Sequence, residues 1–146
     1  MKKLFYVLLV GIILISCGNG AKGKAETTTR EPNQTDHVEV LYFHGTQRCI
    51  TCRAIEANTK ALLDSLYSKE IASGQIVYKI IDISQKENEP IIDKYEVTWS
   101  SLFVNCWKNG KENINNMTEF SFANAKGYPD KFKDGIKNKI DELLKQ

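Results

Sequence analysis

The chain has 146 residues, of which 26% are charged and 42% hydrophobic, with a formal net charge of +2. Lys2 and Lys3 account for that excess, so basic and acidic side chains balance elsewhere and no nucleic-acid partner is expected. The length suits one compact domain without internal repeats and leaves no room for a second core.

Met1-Lys2-Lys3 is followed by an apolar stretch over residues 4–15. It is too short to span a bilayer as a stable helix and is built like a secretory h-region. The stretch closes on Leu14-Ile15-Ser16-Cys17, which resembles the bacterial lipoprotein cleavage box. That resemblance implies a signal peptide over residues 1–16 and a mature chain that starts at a lipidated Cys17. Each buried acyl methylene would contribute about 0.8 kcal/mol of membrane attachment. The alternative is an ordinary cleaved signal with an incidental cysteine. Residues 17–36 are Gly, Lys, Glu, Thr, Asn and Pro with almost no large apolar side chain, so a flexible tether is expected. Treated as a coil it spans roughly 25 Å, enough to hold a domain at residues 37–146 clear of the headgroups on the extracytoplasmic side.

Within that domain, Val38-Glu39-Val40-Leu41-Tyr42-Phe43 is rich in β-branched and aromatic residues and stops at Gly45, which predicts a largely buried strand. After Cys49, the helical spacing of Ile55, Leu62, Leu63, Leu66 and Ile71 predicts one long amphipathic helix ending at Gly74. The near-continuous apolar run over residues 76–83 predicts a parallel strand covered on both faces. Pro90 can open a short helix reaching about Tyr95. Residues 102–107 and the segment after Gly110 flank Lys108-Asn109-Gly110-Lys111, whose Asn-Gly pair favours a tight antiparallel hairpin. Beyond Pro129, Phe132, Ile136, Ile140, Leu143 and Leu144 form the apolar stripe of a terminal helix. The expected order is βαβαββα.

This order, with Cys49-Ile50-Thr51-Cys52 at a strand-to-helix junction and a closing helix after the hairpin, resembles the thioredoxin superfamily over residues 37–146. The resemblance implies an α/β fold with a central mixed sheet and helices on both faces. Three features depart from the family pattern. Gln47-Arg48 precedes the first cysteine in place of a Trp, and Ile50-Thr51 replaces Gly-Pro between the two. The family's buried Asp has no counterpart in residues 40–43, although Glu39 lies nearby in sequence, so proton transfer could use water. The family's cis-Pro would fall in Trp99-Ser100-Ser101-Leu102, at Ser101 counting from Tyr95 or at Leu102 counting back from the hairpin. No Pro stands there, and a cis bond without one costs about 2.5–4 kcal/mol, so a trans or remodelled loop is expected. Trp99, Ser100 and Ser101 are the expected substrate-facing loop.

A cysteine at a helix N-terminus is stabilised as thiolate by unpaired N–H groups and the helix dipole. Cys49 is so placed, and Cys52, one turn deeper, can resolve a mixed disulfide. Arg48 and Arg53 are candidate tuning charges if they turn toward the sulfur, and solvated surface arginines otherwise. His44 is a candidate to tune Cys49 or accept its proton, or else simply ends its strand. A purely structural Cys49–Cys52 staple would close too short a loop to constrain the unfolded chain much. Cys106 reads as a small buried hydrophobe, or as a third thiol for regulatory bonding. Trp99 and Trp107 read as core or rim aromatics.

The leading expectation is a tethered thiol–disulfide oxidoreductase that exchanges electrons with protein thiols and disulfides. A membrane electron-transfer partner is expected, electron flow leans toward reduction of substrate by resemblance, no cofactor is needed, and the protein should be a monomer. The competing class is a metal- or partner-binding module on the same fold. A metal site is not expected by resemblance, since copper-delivery members of the superfamily use a downstream His, whereas this chain's His37 and His44 both lie upstream of the dithiol.

Overall fold

The computed structural model describes residues 36–146. The expected signal peptide, Cys17 and the expected tether apart from its last residue, Asp36, lie outside the described residues. Four strands form one mixed sheet in the order β2-β1-β3-β4. At its centre β1 (His37–His44) pairs in parallel with β2 (Ile76–Asp82) and antiparallel with β3 (Ser101–Lys108). Every residue of β1 after His37 is buried, as a strand flanked on both edges and covered on both faces must be. The run over residues 76–83 does form the parallel strand, but at the sheet's edge. Lys79 and Ile80 are therefore exposed there, rather than covered on both faces.

Helix α1 (Ile50–Leu66) buries Cys52, Ile55, Thr59, Leu62 and Leu63, a stripe at helical spacing. The single long helix expected through Ile71 is broken at Tyr67, whose φ of −126° and ψ of 21° leave helical geometry. The Tyr67 ring sits in the core and its hydroxyl donates to Asp141 at 2.7 Å, so a distant helix fixes the break. A second helix, α2 (Ser68–Ser73), follows and ends on left-handed Gly74. After β2 and a 3-10 turn (Lys86–Asn88), α3 (Glu89–Lys94) begins with Pro90 in its first turn, as expected.

The hairpin to β4 (Lys111–Asn113) turns on Asn109 and Gly110, with φ of 51° and 72°, the left-handed pair that a two-residue turn requires. Helix α4 (Thr118–Asn124) has no counterpart in the expected order. It is seated through side-chain and main-chain bonds to β3: Thr118 Oγ1 accepts from Leu102 N at 3.1 Å, and Met117 N donates to Leu102 O at 2.8 Å. The terminal helix α5 (Pro129–Leu144) buries Phe132, Ile136, Ile140 and Leu143, while Leu144 is exposed.

One face of the sheet, through Val38, Val40, Tyr42, Leu102 and Val104, packs against α1, α4 and α5. The other, through Leu41, Phe43, Ile81 and Phe103, packs against α3 and the residues after it, Tyr95 and Val97. Each fully buried large side chain contributes about 1.5–3 kcal/mol. The result is the expected thioredoxin-like α/β architecture, with helices on both faces of a mixed sheet. Among the described residues no helix is long and apolar enough to cross a membrane.

Candidate active site

Strand β1 delivers the chain to the open end of the sheet, where Cys49 is the N-cap of α1. Its Sγ accepts from Cys52 N at 3.0 Å, and its carbonyl accepts from Arg53 N at 3.1 Å. Cys49 and Cys52 form a disulfide with Cα atoms 5.0 Å apart. Cys49 is exposed, whereas Cys52 is only 6% exposed. Of the two residues, Cys49 is the more open to a partner.

Polar groups that sequence reasoning missed lie behind the buried cysteine. The Tyr42 hydroxyl donates to Cys52 O at 2.7 Å. Burial, and then the Glu56 carboxylate, push the Tyr42 phenol's pKa up, and the same two causes raise that of Tyr78. Tyr78 Oη is buried without a hydrogen-bond partner. Glu56 follows Cys52 by four residues on α1, the spacing that places two side chains on one helix face. It pairs with Arg48.

Arg48 thus points its guanidinium at Glu56 and also at His44, whose Nε2 lies 2.6 Å from Arg48 Nη2. Arginine can only donate, so Nε2 accepts, and Nδ1 carries the proton toward Gly45 O at 3.1 Å. The structure therefore joins His44 to Arg48, the residue that precedes Cys49. Arg53 is exposed on the first turn of α1. Glu39, the acidic residue next to residues 40–43 in sequence, lies about 17 Å along β1 from the end that leads to the cysteines, given a rise of ~3.4 Å per residue. There it is buried, pairs with Lys79 at 2.6 Å and accepts from Trp107 Nε1 at 3.2 Å. Strand rise thus takes Glu39 away from the cysteines.

The expected substrate-facing loop does meet the disulfide. Thr98, Trp99, Ser100 and Phe122 line one groove of about 360 Å³ with Cys49 and Cys52. Ser101 is instead the first residue of β3, opposite Phe43, and its Oγ donates to Trp99 O at 3.0 Å. Leu102 lies within the strand, opposite Tyr42, which rules it out as the loop position. Trp99 is 55% exposed and packs its ring 4.9 Å from that of Phe122. Ile50, between the two cysteines, is 60% exposed.

Cys106 lies well along β3, about 17 Å from Ser101 by strand rise. It is a free, buried thiol whose Sγ approaches Leu143 O at 3.9 Å, and burial raises its pKa. Among the described residues no three His, Cys, Asp or Glu side chains converge as a metal site would require.

No family model and no curated protein matches the chain. Among solved structures, a thioredoxin from Thermus thermophilus is similar over 75% of both chains, with 12% identity and a TM-score of 0.45. A structure described as a malarial protein is similar over 60% of this chain and 93% of its own, with 19% identity and a TM-score of 0.39. Likenesses this distant add nothing to what the sheet order and the helices show directly. A thioredoxin-like α/β domain with a disulfide-bonded Cys-x-x-Cys at a helix start supports a redox function.

Proposed function

We propose that this protein is an extracytoplasmic, membrane-tethered thiol–disulfide oxidoreductase, with Cys49 as nucleophile and Cys52 as resolving thiol. The observation that carries this reading is the asymmetry of the pair: an exposed cysteine capping a helix, and a buried one three residues later. In the reduced form the Cys49 thiolate attacks a substrate disulfide. A Cys49–substrate bond forms and the first substrate sulfur leaves as thiolate. Cys52 then loses its proton and attacks Cys49 Sγ, which forms the Cys49–Cys52 disulfide and releases the second substrate sulfur. Two electrons pass from the dithiol to the substrate, and each released thiolate takes up a proton. The reverse sequence oxidises a substrate dithiol.

Arg48, whose guanidinium pairs with Glu56 and donates to His44, would hold charge beside this exchange. The loop of Trp99 and Ser100 borders the substrate's approach. Tethering rests on the Ser16-Cys17 sequence and the polar segment after it. A membrane partner would restore the reduced form.

The test is Cys52→Ser in the full chain, which removes resolution. It should accumulate adducts with protein substrates that run as higher bands without reductant, disappear with dithiothreitol, and fail to form when Cys49 is also replaced. If no adducts appeared while Cu(I) bound stoichiometrically, the metal-binding alternative would replace this reading.

A further inference from the structure

Trp99 and Phe122 do more than border the disulfide. Together with Thr98 they also line a second groove of about 630 Å³, between the turn after α3 and the start of α4. These shared residues form a common wall, so the second groove lies next to the first. Its apolar part is Val97, Phe103, Trp99 and Phe122, of which Val97 and Phe103 are core residues.

The formal charges lining it are Glu96 and Glu119. Both are exposed, and neither has an ion-pair partner among the described residues. Glu96 is held in a left-handed turn, φ 52°, with its N–H on Asp93 O at 3.2 Å and the next N–H on Ile92 O at 3.0 Å. Glu119 lies in the first turn of α4. Two uncompensated carboxylates beside an apolar channel favour a cationic, partly apolar occupant.

We propose that this groove takes the polypeptide flanking the reacting cysteine of a protein substrate, and that it selects segments carrying Lys or Arg beside an apolar side chain. The inference rests on the oxidoreductase reading and names the substrate class of that same site. The apolar side chain packs against Trp99 and Phe122, while the cation lies between Glu96 and Glu119. Exposed pairs of this kind are individually weak and screened by salt, so the groove sets preference among substrates and leaves the chemistry to the dithiol.

The experiment uses the full chain reduced by dithiothreitol and two peptides, each with its cysteine in a disulfide to a small aromatic thiol. They are identical except that Lys-Leu-Lys or Glu-Leu-Glu follows the cysteine. At low salt kcat/KM should favour the Lys peptide about three- to tenfold, and the ratio should fall toward one at 0.5 M salt. The Glu96→Gln/Glu119→Gln variant should bring it near one at low salt. Equal rates with the unmodified protein, or a preference that survives the double substitution, overturns the inference. So does a concentration-dependent dimer broken by Trp99→Ala, which would assign the groove to a second copy. Hydroxyethyl disulfide, too small and neutral to sense the groove, separates the two readings. Turnover of it without peptide preference removes only the groove proposal, whereas no turnover of it removes the oxidoreductase reading and this inference together.

Discussion

Cys49 caps a helix at the open end of the sheet, exposed and with a backbone N–H on its sulfur, whereas Cys106 lies buried in β3 beneath α5. Residue type is the same and surroundings are opposite. At the open end the helix start favours negative charge on sulfur and the solvent admits a partner. Along β3, burial favours the neutral thiol, and the Leu143 carbonyl of α5 lies 3.9 Å from its sulfur. The comparison teaches that sulfur chemistry here is set by placement: what β1 and α1 bring together at one end, β3 and α5 shut away further along.

The sharpest way to break that contrast is to remove each sulfur in turn. Cys49→Ser should reduce disulfide exchange to background, a loss of at least about 10³-fold, because no other exposed thiol among the described residues can attack. Cys106→Ala should leave turnover within about twofold. Comparable losses in the two variants would erase the distinction.

The open end also depends on how α4 is seated, since α4 carries Phe122 against Trp99. At Gly135 of α5, an added Cβ would meet the Phe120 ring of α4. Gly135→Ala should therefore cost about 1–3 kcal/mol by overpacking, against the ~1 kcal/mol gain that helix propensity alone favours. Urea unfolding reads the sign directly. An increase in stability would show that Phe120 moves aside freely and that α4 is loosely held.

The buried thiol makes a smaller, pH-dependent contribution. Burial raises the pKa of Cys106, so the folded chain holds this proton more tightly than the unfolded one. The stability so gained is full below the ordinary value of 9.0 and is lost as pH climbs through the raised folded value. Unfolding free energies at pH 8 and pH 10 should therefore fall more steeply in the unmodified protein than in Cys106→Ala. Parallel slopes would mean that the thiol is as free to ionise as in the unfolded chain.

The smallest expected effect sharpens the charge setting at the open end. Glu56→Gln removes the anion paired with Arg48 and leaves the guanidinium uncompensated beside the dithiol. Alkylation of reduced Cys49 by iodoacetamide at neutral pH should accelerate about threefold, in line with the weak coupling of partly exposed pairs. An unchanged rate would show that Arg48 charge does not reach the sulfur.

Local patterns made much of this architecture readable before any coordinates. The junction of strand and dithiol, the Pro90 helix, the Asn109-Gly110 turn and the stripe on α5 each depend on neighbouring residues. Elements set by distant partners were not readable. The break at Tyr67 follows from a hydrogen bond to Asp141, and Thr118-Glu119-Phe120-Ser121-Phe122 lacks a helical stripe, so α4 takes its shape from bonds to Leu102 and from packing on Gly135. In the site, the cysteines and the facing Trp99 and Ser100 were legible from order along the chain. The partnership of Arg48 with Glu56 was not, although the four-residue step from Cys52 to Glu56 was a usable signal. Glu39 misled because proximity in sequence along a strand is distance in space.

The most direct test of the central claim is an equilibrium redox titration of the purified protein against glutathione or dithiothreitol, with the state of Cys49 and Cys52 read by mass after alkylation. An exchanging dithiol should show one two-electron transition between about −120 and −270 mV, the range of known thiol–disulfide exchange proteins, and Cys106 should take no part in it. A midpoint below about −300 mV, where structural disulfides lie, would contradict the account and make the pair a staple.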